Sequence, residues 1–301
     1  MKLSIVLILG SICVGALSAG LDLSSGNTSV QEVFSNIQGK VDVSFLRTST
    51  KPSFLIANYP ASEHNLFRHS LETTGVWAPE ATMAFNILLA NACKTSRELV
   101  VDVGAHVGYF SGFSAALGCD VVSFEPQFNL APYFELMRSV NPGFQDRIQH
   151  RRFAVSSVAG QQFAMPLLND PGLGHLVPTS LAKETDFRVT TVTLDEMLKE
   201  ETRDILLLKI DVEGHELEVL KGASGLLKAG RVRNMFIEMK TDEETRGKRE
   251  EFLDYARREL GFKVFSINER YLSGMGKNLN IIPVIMGANT FEDVLFLKEI
   301  L

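Results

Sequence analysis

"LVVDVGAHVGYFS", residues 99–111, decides the fold. Leu99, Val100 and Val101 lead through Asp102 to Val103 as a short apolar strand. Gly104 and Gly108 then bracket Ala105, His106 and Val107, and from Tyr109 to Gly118 the pattern is helical. A glycine after the strand takes backbone conformations closed to other residues and lets a ligand approach the main chain. The helix that opens near Gly108 offers unpaired N–H groups to whatever sits there. Two glycines also fit a bare tight turn. The run lacks the Gly-x-Gly-x-x-Gly fingerprint of a dinucleotide site, which disfavours a nicotinamide-dependent dehydrogenase.

Outward from this turn, strands and helices alternate. Helical stretches are expected at 79–91, 109–118, 129–141, 215–230 and 242–261, and strands at 98–103, 120–126, 147–157, 204–212 and 232–240. Residues 158–190 read as irregular, and 262–268 with 293–300 as a closing pair of strands. Such alternation gives a mostly parallel sheet with helices on both faces, here with an antiparallel terminal strand. Ligands of these sheets sit at the carboxyl ends of the strands. Glu125 ends the second strand, about 20 residues beyond Asp102, where an acid takes both hydroxyls of a ribose. A nucleoside without a pyrophosphate satisfies both features, and S-adenosylmethionine is the common one.

A second cluster follows the strand 204–212, where Asp211, Glu213, His215 and Glu216 share one turn. Acids at this place can cap the next helix. Asp211 or His215 can also take a proton from an attacking hydroxyl. In a third reading Asp211, Glu213 and Glu238 hold Mg2+ or Mn2+, since hard cations prefer carboxylate oxygens and lower the pKa of a bound hydroxyl. Lys209 shares a strand face with Asp211 and can pair with these acids. Asp170 and His175 fall in a long loop that suits a lid or an acceptor wall.

"VVDVGAHVGYFS", "VVSFEPQFNL", "VTLDEML", "LLLKIDVEGHELEVLKGASGLL" and "FIEMK", spread in this order over about residues 75–240, resemble the successive motifs of the FkbM family of methyltransferases. The Lys-Ile-Asp-Val-Glu-Gly segment, 209–214, is the most specific. The resemblance implies an α/β, Rossmann-like class I methyltransferase with a seven-stranded, mostly parallel sheet. It also implies S-adenosyl-L-methionine as donor and O-methylation as the reaction. Carried over by position, Asp102, Gly104 and Gly108 line the methionine end, with Ala105, His106 and Phe110 as further cofactor contacts. Glu125 binds the ribose with Pro126 and Asn129 nearby, and Ala154 falls where the adenine packs. His106 stands where the family more often has Asn. In this fold Cys93 and Cys119 precede neighbouring strands at the end of the sheet opposite the cofactor, so a disulfide between them is expected.

The N-terminus gives the address. Lys2, an apolar run from Leu3 to Val14 and small residues at Ala16 and Ser18 read as a signal peptide, or as an anchor if uncleaved. The expected organisation is 1–18 signal, 19–74 lead-in and accessory segment, and 75–301 methyltransferase domain. Asn27-Thr28-Ser29 is a glycosylation sequon in a secretory chain. A hydrophobic fraction of 45% supports a sizeable core, and a net charge of −6 without a basic patch disfavours nucleic acid or an anionic membrane as partner. The membrane enters only through a retained anchor. The function expected is methylation of a hydroxyl on a sugar, glycan or other small molecule in the secretory pathway. The alternative is a binding protein that kept the fold and lost turnover.

Overall fold

The computed structural model of the chain describes residues 43–59, 66–168, 170–239, 246–267, 282–283 and 293–297. The expected signal peptide and the Asn27 sequon lie outside the described residues. The described chain opens with a hairpin, β1 Ser44–Arg47 and β2 Leu55–Asn58, then helices α1 Leu66–Thr73 and α2 Pro79–Leu89. Next come β3 Leu99–Val103, α3 Tyr109–Ala116, β4 Asp120–Phe124, α4 Ala131–Val140 and β5 Ile148–Arg151. Four short strands follow, β6 Ala154–Val155, β7 Gln162–Met165, β8 Val177–Pro178 and β9 Phe187–Val192. The chain continues through β10 Ile205–Ile210, α5 Glu216–Lys221, α6 Ser224–Lys228, β11 Val232–Glu238 and α7 Arg246–Asp254 to β12 Lys263–Ile267, β13 Ile282–Pro283 and β14 Asp293–Leu297.

The main sheet has the order β13-β12-β14-β11-β10-β3-β4-β5. Its last five strands in this order, β11, β10, β3, β4 and β5, are parallel. β14 lies antiparallel between β11 and β12, which makes the expected closing pair. The described sheet has eight strands where seven were expected; the eighth is the two-residue β13 at its edge.

Side chains alternate between two apolar layers, because successive residues of a strand point to opposite faces. Val100, Val121 and Leu207 enter the layer formed with Phe85, Phe113 and Phe134. Val101, Val103, Val122, Phe124, Leu208 and Ile210 enter the layer formed with Val219, Leu226 and Phe252. The hairpin and α1 join the first layer through Phe54, Ile56 and Phe67. One polar row crosses that layer. Lys209 pairs in register with Asp102, and Asp102 with Ser123. All three are almost fully buried.

Three sequence expectations change. Residues 158–190 are not irregular throughout: β7, β8 and β9 build a second sheet with β6, ordered β6-β9-β7-β8. These strands have two to six residues, and their pairings are distant in sequence, so no local periodicity announces them. The strand expected over 147–157 divides into β5 and β6, which pair with β4 and β9 in different sheets. The helix expected over 215–230 divides at Gly222, where a Cβ would lie 2.0 Å from the Ser156 carbonyl oxygen.

Cys93 and Cys119 form the expected disulfide, with Cα atoms 4.8 Å apart. The bond closes a loop of sequence separation 26, for which the chain-entropy account gives about 3.5 kcal/mol. Cys93→Ala/Cys119→Ala should lower the unfolding free energy by that amount in urea titration. Dithiothreitol should destabilise the wild type to a similar extent and leave the double variant unmoved.

Candidate functional site

A cleft of about 280 Å3 opens at the carboxyl ends of β3, β4 and β10. Its floor is two turns stitched to the sheet. Gly104 and Ala105 donate their N–H groups to the Phe124 carbonyl oxygen, and Asp211 donates to that of Val103. The two turns touch backbone to backbone. Gly104 has φ +80°, and a Cβ there would lie 1.6 Å from the Asp211 carbonyl oxygen.

Lys209 ties these turns from below. Its Nζ donates to the Gly104 carbonyl oxygen at 2.9 Å and to Asp211 Oδ2 at 3.2 Å. Asp102 Oδ1 lies 3.4 Å away, and the ammonium sits 5.5 Å over the Phe110 ring. Burial works against the charge of Lys209, but the carboxylates of Asp211, Asp102 and Glu238 outweigh it and raise its pKa above the ordinary lysine value. Asp102 Oδ2 accepts from Ser111 Oγ at 2.6 Å, and Ser111 Oγ is 2.7 Å from Ser123 Oγ.

Glu125 is the acid at the tip of β4, only 4% exposed. Oε2 accepts from the His106 N–H at 2.9 Å and Oε1 from the Gln127 N–H at 3.0 Å. A carboxylate offers about four lone-pair directions, so each oxygen keeps acceptor capacity beyond these bonds. Burial pushes the Glu125 carboxyl up to about 7, against the two backbone donors and Lys209. His106 sits at φ +52°, with Tyr59 Oη 3.1 Å from its Nε2. Phe67 stands edge-on to it at 5.2 Å. Burial lowers its pKa to about 4, over the opposing pull of Asp211 and Asp170, so the ring is neutral at pH 7.

Of the sequence-predicted residues, Gly104, Ala105, His106, Phe110, Glu125, Pro126, Ala154, Asp211, Glu213, His215 and Glu238 line the cleft. Asp102, Gly108 and Asn129 do not. Asp102 is turned into the polar row below. Gly108, at φ +90°, backs onto α4, where a Cβ would lie 2.4 Å from Met137 Cε. Asn129 is half-buried beside α4, and its Oδ1 has no hydrogen-bond partner. His215 Nε2 lies 2.9 Å from Ser156 Oγ, and its ring stands 5.8 Å from Phe163.

The metal reading does not fit. Among the described residues no three His, Cys, Asp or Glu side chains gather as a metal site. The Lys209 ammonium already supplies a positive charge beside Asp211 and within the field of Glu238. Residues missed by the sequence reading include Gln127, whose Nε2 donates to the Pro171 carbonyl oxygen at 2.9 Å, and Phe67 and Phe153 in the wall. Gln127 follows Glu125 by two, which is the one signal that could have marked it. Of the loop considered as a lid or wall, Asp170 and its neighbours to Gly174 line the cleft with Leu176, whereas His175 does not.

The family model for the "Methyltransferase FkbM domain" matches residues 102–264, from the first turn through the second and into β12. The chain belongs to the FkbM methyltransferase family. Membership makes it a methyltransferase that uses S-adenosylmethionine, and the cleft's lining fits that cofactor, with a buried carboxylate at the strand tip and apolar wall residues at Phe153 and Ala154. No curated protein matches the chain in sequence. Solved structures with a similar fold include the METTL16 MTase domain, at 14% identity and TM-score 0.41, covering 73% of this chain and 66% of that one. An rRNA methylase from Streptococcus thermophilus gives 13% and 0.39, covering 71% and 94%. Monomeric WbdD gives 12% and 0.43, covering 77% and 44%. The FkbM chain thus spans less than half of WbdD.

Gly104→Ala should destabilise this FkbM protein by more than ~2 kcal/mol, because strain at positive φ adds to a backbone clash. Gly160 has nearly the same φ, +77°, with nothing within 4 Å, so Gly160→Ala should cost only ~1 kcal/mol. Urea unfolding of the pair separates the contact from the conformation.

Proposed function

We propose that the protein is an S-adenosylmethionine-dependent O-methyltransferase of the secretory pathway that acts on a hydroxyl of a small molecule or glycan. The observation that carries the reading is Glu125, a buried carboxylate at the tip of β4, held by two backbone N–H groups and facing the cleft beside Gly104. Its remaining acceptor capacity suits the two hydroxyls of a ribose. Phe153, Ala154 and Val155 offer an apolar bed for the adenine, and the Gly104–His106 turn takes the methionine end. When bound, the cofactor supplies an electrophilic methyl group on a sulfonium.

Asp211 is the residue we assign to the acceptor's proton. Oδ2 is held by Lys209, and the side chain is 28% exposed, at the cleft. Asp211 would take the proton of an acceptor hydroxyl that attacks the methyl group the bound cofactor would supply. His215, close to Ser156 Oγ and Phe163, lines the acceptor side of the same turn. Asp211→Asn should lower kcat by at least ~100-fold with S-adenosylmethionine affinity kept within about threefold, read by product mass spectrometry and calorimetry.

The Cys93–Cys119 disulfide supports the compartment, because such bonds persist in oxidising surroundings, and so does the apolar N-terminal run. A lumen supplied with the donor by transport suits both. The donor site is tested by titration. With Glu125 near pH 7, ribose binding needs the ionised carboxylate, so affinity should fall roughly tenfold from pH 8 to pH 6. Glu125→Ala should bind far more weakly and lose that pH dependence. Equal affinity at both pH values would reject Glu125 as the ribose acid.

A further inference from the structure

The acceptor's charge can be read from the walls of the cleft; the inference rests on the methyltransferase reading above. One wall is aromatic. Trp77 and Phe67 have centroids 5.3 Å apart, Phe67 and Tyr109 6.3 Å, and Tyr109 and Phe110 5.2 Å. Leu66 and Leu173, 71% and 57% exposed, carry this apolar surface to the mouth. Asp170, Asp211, Glu213 and Glu238 also line the cleft. Among the described residues that line it, Lys209 is the only Lys or Arg. Its ammonium donates to the Gly104 carbonyl oxygen at 2.9 Å and to Asp211 at 3.2 Å, and it is ion-paired with Asp102 at 3.4 Å. The lining histidines are engaged as well, His106 with Tyr59 and His215 with Ser156.

Among the described lining residues, an acceptor anion with no cation of its own therefore meets carboxylates and no uncommitted Lys or Arg. A charge buried without a partner is costly, and like charges brought together suppress a wrong ligand further. An uncharged ring loses nothing of the kind and gains contact with the aromatic wall. We propose that the acceptor subsite selects by charge: it takes a hydroxyl on an uncharged body with a flat apolar face, and it refuses bodies that carry carboxylate or phosphate. Nucleotide-activated sugars are then excluded as acceptors, whereas a neutral aryl or ring alcohol is admitted.

Two phenols of matched size test this, 4-(2-hydroxyethyl)phenol and 4-hydroxyphenylacetate, which differ in one charge. Each is titrated into the full chain by ligand-observed NMR, with and without saturating S-adenosylhomocysteine. The neutral phenol should bind at least tenfold more tightly than the anionic one. Glu238→Lys, with an unchanged melting temperature, should narrow the ratio to under threefold by admitting the anion. Equal or tighter binding of 4-hydroxyphenylacetate to the wild type overturns the proposal, as does failure of the neutral phenol to bind. S-adenosylhomocysteine is titrated first and alone. Its failure to bind counts against the donor reading, while the phenol ratio still judges charge selection.

Discussion

The ammonium of Lys209 is the point on which the site depends. It lies in the middle of the sheet, where a charge is tolerated only when paired and hydrogen-bonded. Its partners belong to two strands: Asp102 and the Gly104 carbonyl oxygen to β3 and its turn, Asp211 to the turn after β10. Satisfying one buried cation therefore pulls the two turns together until they touch. The close approach leaves no room for a side chain at Gly104 and sets where Glu125, on the next strand, faces Asp211 across the cleft. Ser111 and Ser123 extend the row, so that Asp102 has partners on both of its sides.

This arrangement separates holding from binding. Asp102 belongs to the sheet, and the groups that meet a ligand stand one layer above it. Glu125 shows what such a placement costs. Its carboxyl, raised by burial to about 7 from an ordinary value of 4.5, binds a proton more tightly in the folded chain than in the unfolded one. The folded state alone holds that proton between these two values, so rising pH removes stability across that window. A ligand that donates two hydroxyls to the ionised carboxylate reverses the penalty, which couples donor binding to the stability of the turn.

Much of this was legible because it is local. The apolar strand, the paired glycines, the acid at the next strand tip and the helix start at Pro79 are read within a few residues of themselves. The parallel sheet follows from their alternation, and the placing of Cys93 and Cys119 follows from the sheet. Other features depend on contacts between distant segments. Nothing near Asp102 says that its carboxylate turns under the strand toward Lys209 rather than up to a ligand, because both choices fit an acid at a strand end. Gly108 announces a turn, yet its smallness serves Met137 and Phe134 of α4. Gly222 reads as an interior helix residue in the sequence, whereas its smallness serves the Ser156 carbonyl packed against it.

The residues before the family's matched region complete the site rather than merely precede it. His106 holds φ +52°, a conformation that costs a non-glycine residue of order 1–3 kcal/mol unless its surroundings enforce it. The enforcement comes from Tyr59, after β2, and Phe67, on α1, whose rings stand nearly perpendicular to the imidazole at 5.6 and 5.2 Å. The same His106 offers Glu125 one of its two backbone N–H groups. Phe54 reaches the same turn from below by packing on Gly112 and Tyr109 of α3. Without the hairpin and α1 the turn would lose the aromatic brace that aims its N–H at Glu125. The hairpin and α1 therefore act on the donor site through the backbone of one strained residue, although Tyr59 lines no part of the cleft.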